Sequence, residues 1–166
     1  SNLTPEFLIQ ELNDLFTAFD SIMEKYQCVR IKTIGDAYLA VCGLPEPNPL
    51  HARNLSLAAL EIIEYLKDRN KNNTVQWETR IGIHSGEIVG GIVGTKKFLY
   101  DIFGDAVNTA SRMEHLSEPM KINLSESAYQ RVESQFILEK KEAIQVKGKG
   151  LLKTAFLIGR KQAHFK

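Results

Sequence analysis

Apolar side chains recur at every third or fourth position over the first 25 residues, which is the spacing of one helix face. Thr4 is suited to cap such a helix, and Pro5 fits its first position. The pattern therefore predicts a helix from Pro5 to about Lys25. Its buried face is expected to contain Phe7, Leu8, Leu12, Leu15, Phe16, Phe19, Ile22 and Met23.

The pattern then changes to alternation over residues 28–34 and 37–43, with several β-branched side chains. Alternation with a period of two predicts two paired strands joined at Gly35-Asp36. Val29 and Ile31 alternate with Arg30 and Lys32, so Lys32 is expected on a polar face.

Later segments alternate between helical and extended patterns, separated by loops such as the proline-rich stretch 44–49. "FLYDIFGD" is interpreted as the lead into the third helix. In chain order the predictions are a helix over 50–70, a strand from Val75 to about His84, a short strand in 87–94, a helix from about Asp105 to His115, a short strand in 120–125, a helix capped by Ser125 and ending near Ser134, and strands over 136–146 and 151–159 joined by "KGKG".

This order of elements predicts an α+β fold, with helices packed on an antiparallel-rich sheet. No internal repeat or domain boundary is visible, so residues 1–166 are expected to form a single domain. A ferredoxin-like arrangement normally opens with a strand before its first helix, and that strand is absent from this sequence.

Composition excludes several classes of protein. Hydrophobic residues make up 43% and charged residues 25%, which is typical of a globular domain. The formal net charge of +1 provides no general attraction to nucleic acid or to an anionic membrane. No apolar run approaches the roughly 20 residues that span a bilayer, so no membrane contact by this segment is expected.

Common short motifs are also missing. The sequence has no P-loop, no G-x-G-x-x-G opening a helix, and no CxxC or HExxH, so a zinc site is not expected. Cys28 and Cys42 lie on the two arms of the predicted hairpin. A disulfide across it is conceivable, but without a secretory signal two reduced thiols are the favoured interpretation.

Three blocks carry a more specific signal: "IKTIGDAYLAV", "RIGIHSGEIVGGIVGTKKFLYDIFGDAVNTASRME" and "VKGKG", in this order. Together they resemble the class III adenylate and guanylate cyclase catalytic domain, from about Leu3 to about Gly159. The element "GD-x-VN-x-ASRM" is the most specific part. The resemblance implies a ferredoxin-like (βαββαβ-type) nucleotide cyclase fold.

The resemblance also implies a reaction, in which the 3′-hydroxyl of a nucleoside triphosphate attacks its own α-phosphate and pyrophosphate leaves. Two Mg²⁺ or Mn²⁺ ions would assist it, and Asp36 matches one of the two metal-binding aspartates. The other aspartate belongs to a first strand resembling F-A-D-I-x-G-F-T, which this sequence lacks. The chain is therefore expected to be an N-terminally truncated domain that is inactive by itself.

Lys32 and Asp101 match the pair that selects the base. Adenine presents an acceptor at N1 and a donor at N6, which suit a lysine donor and an aspartate acceptor. Guanylate cyclases resemble this pattern with Glu and Cys instead. The pair therefore favours ATP as substrate.

Asn108 and Arg112 are four residues apart, so they share one face of the predicted helix. By resemblance, Asn108 orients the ribose, and Arg112 stabilises charge at the α-phosphate in the transition state. Lys147, the first lysine of "VKGKG", matches the residue that contacts the terminal phosphates.

In the family, the metal aspartates come from one domain and the remaining site residues from another. Because this chain carries members of both sets, it resembles a homodimer-forming cyclase with its sites at the interface. An upstream sensor domain would then be a natural regulator, and a cytoplasmic catalytic domain is expected, whether or not the parent protein is attached to a membrane.

Three alternatives stay open beside adenylate cyclase. One is a guanylate cyclase, and another is a non-catalytic cyclase-like module that binds a nucleotide or a partner. The third is a ferredoxin-like RNA-binding module, which the near-neutral charge and the lack of stacking aromatics on the strands disfavour.

Overall fold

The computed structural model describes residues 3–94 and 99–162, in which helices and strands are interleaved. The helices are α1 (Pro5–Lys25), α2 (His51–Lys71), α3 (Asp105–His115) and α4 (Glu126–Val132). The strands are β1 (Val29–Ile34), β2 (Ala37–Val41), β3 (Ile81–Ile83), β4 (Val89–Val93), β5 (Leu99–Phe103), β6 (Ile122–Ser125), β7 (Phe136–Lys140), β8 (Ile144–Val146), β9 (Gly150–Leu152) and β10 (Thr154–Arg160). The predicted α+β class is confirmed.

The largest sheet has four strands in the order β3-β6-β10-β7. Strand β6 pairs in parallel with β3, and β10 pairs antiparallel with both β6 and β7. The other strands form three antiparallel hairpins, β1–β2, β4–β5 and β8–β9. Within the described ranges, no ladder of hydrogen bonds joins the β1–β2 hairpin to the four-stranded sheet.

Helix α2 connects the two parts of the hydrophobic core. Its residues Ala59 and Ile63 pack in a cluster with β3, β6, β10 and α4. Its residues Ala58, Ile62 and Leu66 pack in a second cluster with α1 and the β1–β2 hairpin. The hairpin and the main sheet are thus held by the same helix, although their backbones are not paired. This second cluster includes the buried free thiols of Cys28 and Cys42.

The local helix signals are confirmed. Thr4 caps α1 by accepting a hydrogen bond from the backbone N–H of Phe7 at 3.1 Å, and Pro5 is its first residue. Ser125 caps α4 in the same way by accepting from the N–H of Ala128 at 3.3 Å.

The strand predicted from Val75 to about His84 is wrong over its first half, since only Ile81–Ile83 are paired. The Asn70 side chain, at the end of α2, forms hydrogen bonds with both backbone polar groups of Trp77. Its Oδ1 accepts from the N–H at 3.0 Å, and its Nδ2 donates to the carbonyl at 2.8 Å. With its hydrogen bonds satisfied in this way, this segment does not need a partner strand.

Two further differences concern strand number. The segment interpreted as a lead into α3 contains β5, which pairs along its length with β4. The last two predicted strands are each broken in two, because β7 and β10 belong to the main sheet whereas β8 and β9 form their own hairpin.

The β1–β2 ladder contains a bulge that alters the expected alternation. Arg30 is opposite Ala40 and Lys32 is opposite Leu39, so Ile31 is the extra residue. A bulge changes the direction of the side chains that follow it. The simple prediction that Lys32 shares a face with Arg30 is therefore wrong: Arg30 pairs with Asp20 of α1, whereas Lys32 pairs with Asp101 of β5.

Candidate active site

Helix α3 lies against the main sheet through an unusually close backbone contact. A Cβ on Gly82, in β3, would fall inside van der Waals contact of the backbone of Met113 and Glu114. The Met113 side chain is fully buried, and its carbonyl accepts a hydrogen bond at 3.0 Å from the buried amide of Asn123. These contacts fix both the height and the rotation of α3 on the sheet.

The opposite face of α3 lines a cavity with a volume of about 440 Å³. Asn108 and Arg112 both line it, as the four-residue spacing predicts. The remaining lining residues are Ser111, His115, Leu116 and Val146. The two residues that the sequence assigned to ribose and phosphate therefore face one common space.

Arg112 keeps its hydrogen-bonding capacity for a ligand. No carboxylate in the described part of the chain lies within ion-pair distance of its guanidinium. Asn108 is exposed, and its side-chain amide makes no hydrogen bond within the same residues. An anion or a sugar that entered the cavity would meet donors with no competing protein partner.

The turn between β8 and β9 lies alongside α3. The Lys149 ammonium is 3.2 and 3.3 Å from the two carboxylate oxygens of Asp105, the first residue of the helix. Val146, at the other end of the turn, lines the cavity. Lys147 follows Val146 directly and is exposed, so its backbone lies beside the cavity, although its side chain is not part of the lining.

Lys32 and Asp101 are in direct contact although 69 residues separate them in the sequence. The Lys32 Nζ donates to Asp101 Oδ2 at 2.8 Å, and the backbone N–H of Ile102 donates to Asp101 Oδ1 at 2.8 Å. Donation from Lys32, helped by that N–H, holds the pKa of the Asp101 carboxyl below its usual value. Strand β1 thus carries a donor beside an acceptor on β5.

Asp36 is at the tip of the β1–β2 hairpin, in a two-residue turn with Gly35. Gly35 has a φ of +59°, a conformation that glycine adopts without steric cost. Asp36 is exposed, and no hydrogen bond or ion pair among the described residues joins it to the other predicted site residues. Nor does that part of the chain contain a group of three His, Cys, Asp or Glu side chains able to hold a metal ion.

Asp36 fits a divalent cation as one ligand of several. Mg²⁺ prefers oxygen ligands and is commonly held by one or two carboxylates together with substrate phosphates. A carboxylate exposed on a hairpin tip meets the first part of that requirement. A complete site would need further oxygen ligands beside Asp36.

The predicted site residues thus fall into three groups: the Lys32–Asp101 pair, the α3 cavity with Lys147 at its edge, and Asp36 alone. Sequence reasoning did not identify Ser111 and His115, although the helical period places both near the face of Asn108 and Arg112. It also missed the contact between Lys149 and Asp105, because no local sequence pattern predicts it.

No helix within residues 3–94 and 99–162 combines the length and the apolarity needed to cross a membrane. The family model described as "Adenylate and Guanylate cyclase catalytic domain" matches residues 1–159. This chain belongs to that family.

Similar proteins include cyclases of both nucleotide types. An adenylate cyclase of Mycobacterium tuberculosis is 39% identical over 166 residues, which cover 98% of this chain but 37% of the relative. The guanylate cyclase domain of RhGC from Catenaria anguillulae, solved in complex with GTP, is 36% identical with a TM-score of 0.91, covering 96% of this chain and 88% of that one. A non-canonical dimeric guanylyl cyclase domain from Blastocladiella emersonii is 33% identical with a TM-score of 0.88, covering 96% and 87%.

These findings confirm the cyclase catalytic domain and its fold. The family uses divalent metal ions, and its solved structures include nucleotide complexes and dimeric forms. The chain spans little more than a third of the mycobacterial relative's length. Since adenylate and guanylate cyclases both match, the choice of base has to be argued from the site itself.

Proposed function

We propose that this domain catalyses the conversion of ATP to 3′,5′-cyclic AMP and pyrophosphate. The observation that carries the proposal is the Lys32–Asp101 contact at 2.8 Å. An ammonium has three donors and Asp101 Oδ2 has a second lone pair, so each partner retains capacity for a base. Adenine N1 accepts and adenine N6 donates, which is the complement of this pair, whereas guanine presents a donor at N1 and an acceptor at O6.

The proposed chemistry is in-line transfer at the α-phosphate, so positioning and charge stabilisation provide the catalysis. Asn108 would bind the ribose and hold the 3′-hydroxyl toward the phosphorus. Arg112, whose guanidinium carries fixed donors and a permanent charge, would stabilise the charge that develops on the α-phosphate oxygens. Lys147 would bind the terminal phosphates that leave as pyrophosphate.

Asp36 is the proposed metal ligand of this chain, for Mg²⁺ or Mn²⁺, with two ions in a complete site. When bound, such ions activate the attacking hydroxyl and neutralise the phosphates. The second aspartate of the family pattern is absent from this sequence, so we propose that this chain alone is inactive and that the longer protein supplies the missing carboxylate.

The separation of Asp36 from the residues of the α3 cavity supports a homodimer. Asp36 projects from the hairpin tip, whereas Asn108 and Arg112 face the α3 cavity, and no contact in the described residues joins them. We propose that the Asp36 of one subunit completes the site formed by α3 of the other. A sensor domain upstream in the parent protein would regulate the enzyme by moving the two subunits, and a cytoplasmic location would provide its ATP.

The test compares cyclic AMP formed from ATP with cyclic GMP formed from GTP, using the parent protein with Mn²⁺. The expected result is a preference for ATP in kcat/KM of at least about 100-fold, because the wrong base leaves polar groups of the site unpaired. Combining Lys32→Glu with Asp101→Cys should reverse the preference. Arg30→Glu is the matched control on the same strand, β1; it breaks an ion pair to Asp20 of α1 and should preserve the preference for ATP.

A parent protein that prefers GTP would replace this proposal with a guanylate cyclase. If the protein instead binds ATP but forms no cyclic product from either nucleotide, the domain is a non-catalytic binding module. Either result would contradict the proposed adenylate cyclase activity.

A further inference from the structure

The two cysteines of the chain lie opposite each other at the open end of the β1–β2 hairpin. The ladder begins with Val29 opposite Val41; Cys28 directly precedes the first of these residues, and Cys42 directly follows the second. Both side chains are buried in the cluster that the hairpin forms with α1 and α2, so they lie on the same face of the hairpin. The fold therefore brings together two thiols that the whole hairpin separates in the sequence.

The spacing of such a pair is close to the spacing of a disulfide. Residues directly opposite each other on antiparallel strands have Cβ atoms about 4.5–5.5 Å apart, and a disulfide needs about 3.5–4.5 Å. Cys28 is anchored, because its backbone N–H donates to the carbonyl of Met23 at 2.8 Å. Cys42 is followed by Gly43, a turn residue with a φ of +109°, so a small movement of Cys42 is the way to close the gap.

The two thiols differ in their tendency to ionise. The interaction with the Cys28 thiol lowers the pKa of Cys42 to about 7 against the effect of burial, and the Asn54 amide, 4.0 Å from the Cys42 sulfur, assists. The interaction with Cys42, together with burial, raises the pKa of Cys28. Because the thiolate is the nucleophilic form, Cys42 is the reactive member of the pair.

The surroundings of the pair limit the kind of oxidant that can react with it. In the reduced state the Cys28 thiol donates to the carbonyl of Tyr26 at 3.4 Å, and the Cys42 thiol donates to the carbonyl of Gln27 at 3.5 Å. The two residues are only 6% and 8% exposed. A bulky disulfide reagent does not fit at sulfurs so deeply buried, whereas hydrogen peroxide is little larger than water.

We propose that Cys28 and Cys42 form a peroxide-sensitive dithiol pair, which closes to a disulfide across the open end of the hairpin. In the first step the Cys42 thiolate attacks one oxygen of hydrogen peroxide and the O–O bond breaks. Cys42 becomes a sulfenic acid, and the hydroxide that leaves takes up the proton that Cys42 had lost. In the second step the Cys28 sulfur attacks the Cys42 sulfur, and the sulfenic hydroxyl leaves as water with the proton of Cys28. Two thiols are oxidised, and one peroxide is reduced to two waters.

The disulfide would enclose the hairpin in one covalent loop. That loop contains Lys32 and Asp36, to which the proposed function assigns the base and the metal ion. The oxidation state of the pair would therefore restrain the backbone that carries both residues. The modification itself does not depend on the proposed function.

The direct test treats the folded 166-residue chain with hydrogen peroxide, unfolds it in N-ethylmaleimide and measures its mass. The reduced chain should take up two maleimide groups, one for each cysteine. The oxidised chain should take up none, stay monomeric on a non-reducing gel and yield a pair of peptides that joins Cys28 to Cys42. Dithiothreitol should restore both thiols, which distinguishes the disulfide from a sulfinic acid.

The pH dependence and two variants test the different roles of the thiols. The rate of disulfide formation should rise with pH through about 7, as the Cys42 thiolate forms. Cys28→Ser should accumulate a sulfenic acid at Cys42 that reacts with dimedone. Cys42→Ser should react with peroxide at least about tenfold more slowly, because Cys28 is protonated at neutral pH. Serine keeps a hydroxyl that can donate to the same carbonyl, and urea unfolding checks that both variants are folded.

The wild-type chain alone is sufficient to refute the inference. Links between chains, or sulfinic acids in place of the Cys28–Cys42 bond, would show that the fold does not hold the thiols in position to react with each other. An intramolecular bond that forms only in the presence of urea would show the same. Equal peroxide reactivity of the two serine variants would overturn the assignment of Cys42 as the attacking thiol. None of these measurements involves a nucleotide, so they stand even if the proposed function fails.

Discussion

Helix α3 and the tip of the β1–β2 hairpin carry different halves of the proposed site, and the fold holds them in different ways. The helix is in backbone contact with Gly82, buries Met113 completely and accepts a hydrogen bond from Asn123. The tip makes its ladder contacts within its own hairpin, and Asp36 is exposed.

The difference indicates which part of the catalytic arrangement is already built in one chain. The α3 backbone that carries Asn108 and Arg112 is fixed on the sheet before any ligand binds, which favours preorganised stabilisation of the transition state. Asp36, in contrast, makes no contact with the other proposed site residues in the described part of the chain. If it is a metal ligand as proposed, assembly of two subunits rather than local folding would be the step at which activity is controlled.

The largest expected effect on activity comes from substitution of Arg112 on α3. Arg112→Ala should lower kcat of the parent protein about 100- to 1,000-fold, in line with the loss of one transition-state donor. Its unfolding midpoint should stay close to that of the wild type, because the guanidinium has no ion-pair partner in the described chain. Steady-state kinetics and urea unfolding measure both. The matched control is Arg131→Ala, which removes an exposed base in the last turn of α4; a loss of activity no greater than in that variant would contradict the role of Arg112.

The contact that seats α3 should be sensitive to a single methyl group. Gly82→Ala inserts a Cβ into the helix backbone and should destabilise the chain by about 3 kcal/mol, at the upper end for overpacking. Gly159→Ala is the control, a strand glycine with no heavy atom within 4 Å of the new Cβ. Equal unfolding free energies for the two variants would show that α3 is not held by this contact.

At the hairpin tip, a substitution of Gly35 is limited by the backbone conformation and not by lack of space. A Cβ on Gly35 meets no neighbour, but the φ of +59° costs an L-residue about 1 kcal/mol. Gly35→Ala should therefore destabilise less than Gly82→Ala, and Gly35→Asn should recover part of the loss because Asn tolerates this region. Urea unfolding of the two variants provides the comparison, and a larger loss in the Asn variant would refute the explanation.

The smallest effect concerns the Lys32–Asp101 pair, which joins the hairpin to β5. Because the folded-state pKa of Asp101 is lowered, the carboxylate contributes stability above its unfolded pKa, and this contribution is lost as the pH falls through the folded value. The carboxyl NMR shift of Asp101 should titrate with a midpoint below that of an unperturbed aspartate, since Lys32 and the N–H of Ile102 lower its pKa. In Lys32→Gln the midpoint should move up; an unchanged midpoint would mean that Lys32 is not its partner in solution.

Much of the fold was predictable because its signals are local. Thr4 and Pro5 mark the start of α1, and Gly35 with Asp36 marks the hairpin turn. The bulge at Ile31 was not predictable, since it depends on how the ladder is paired. The loss of strand at Trp77 was likewise hidden, because the side chain of Asn70 replaces a partner strand.

The site residues likewise divide into those that a local pattern predicts and those that depend on contacts between distant segments. Asn108 and Arg112 were placed together by helical spacing, and the cavity confirms that they share a face. The contact between Lys32 and Asp101 was expected only from the resemblance, since no local rule joins strands so far apart in sequence.

The central claim is that each site is shared by two subunits, with Asp36 from one and α3 from the other. The most direct test mixes two inactive variants of the parent protein, Asp36→Ala and Arg112→Ala. The account predicts recovery of about one quarter of wild-type activity, because half of the dimers are mixed and each mixed dimer contains one intact site. A mixture that stays as inactive as its components, although the subunits exchange, would contradict the shared site.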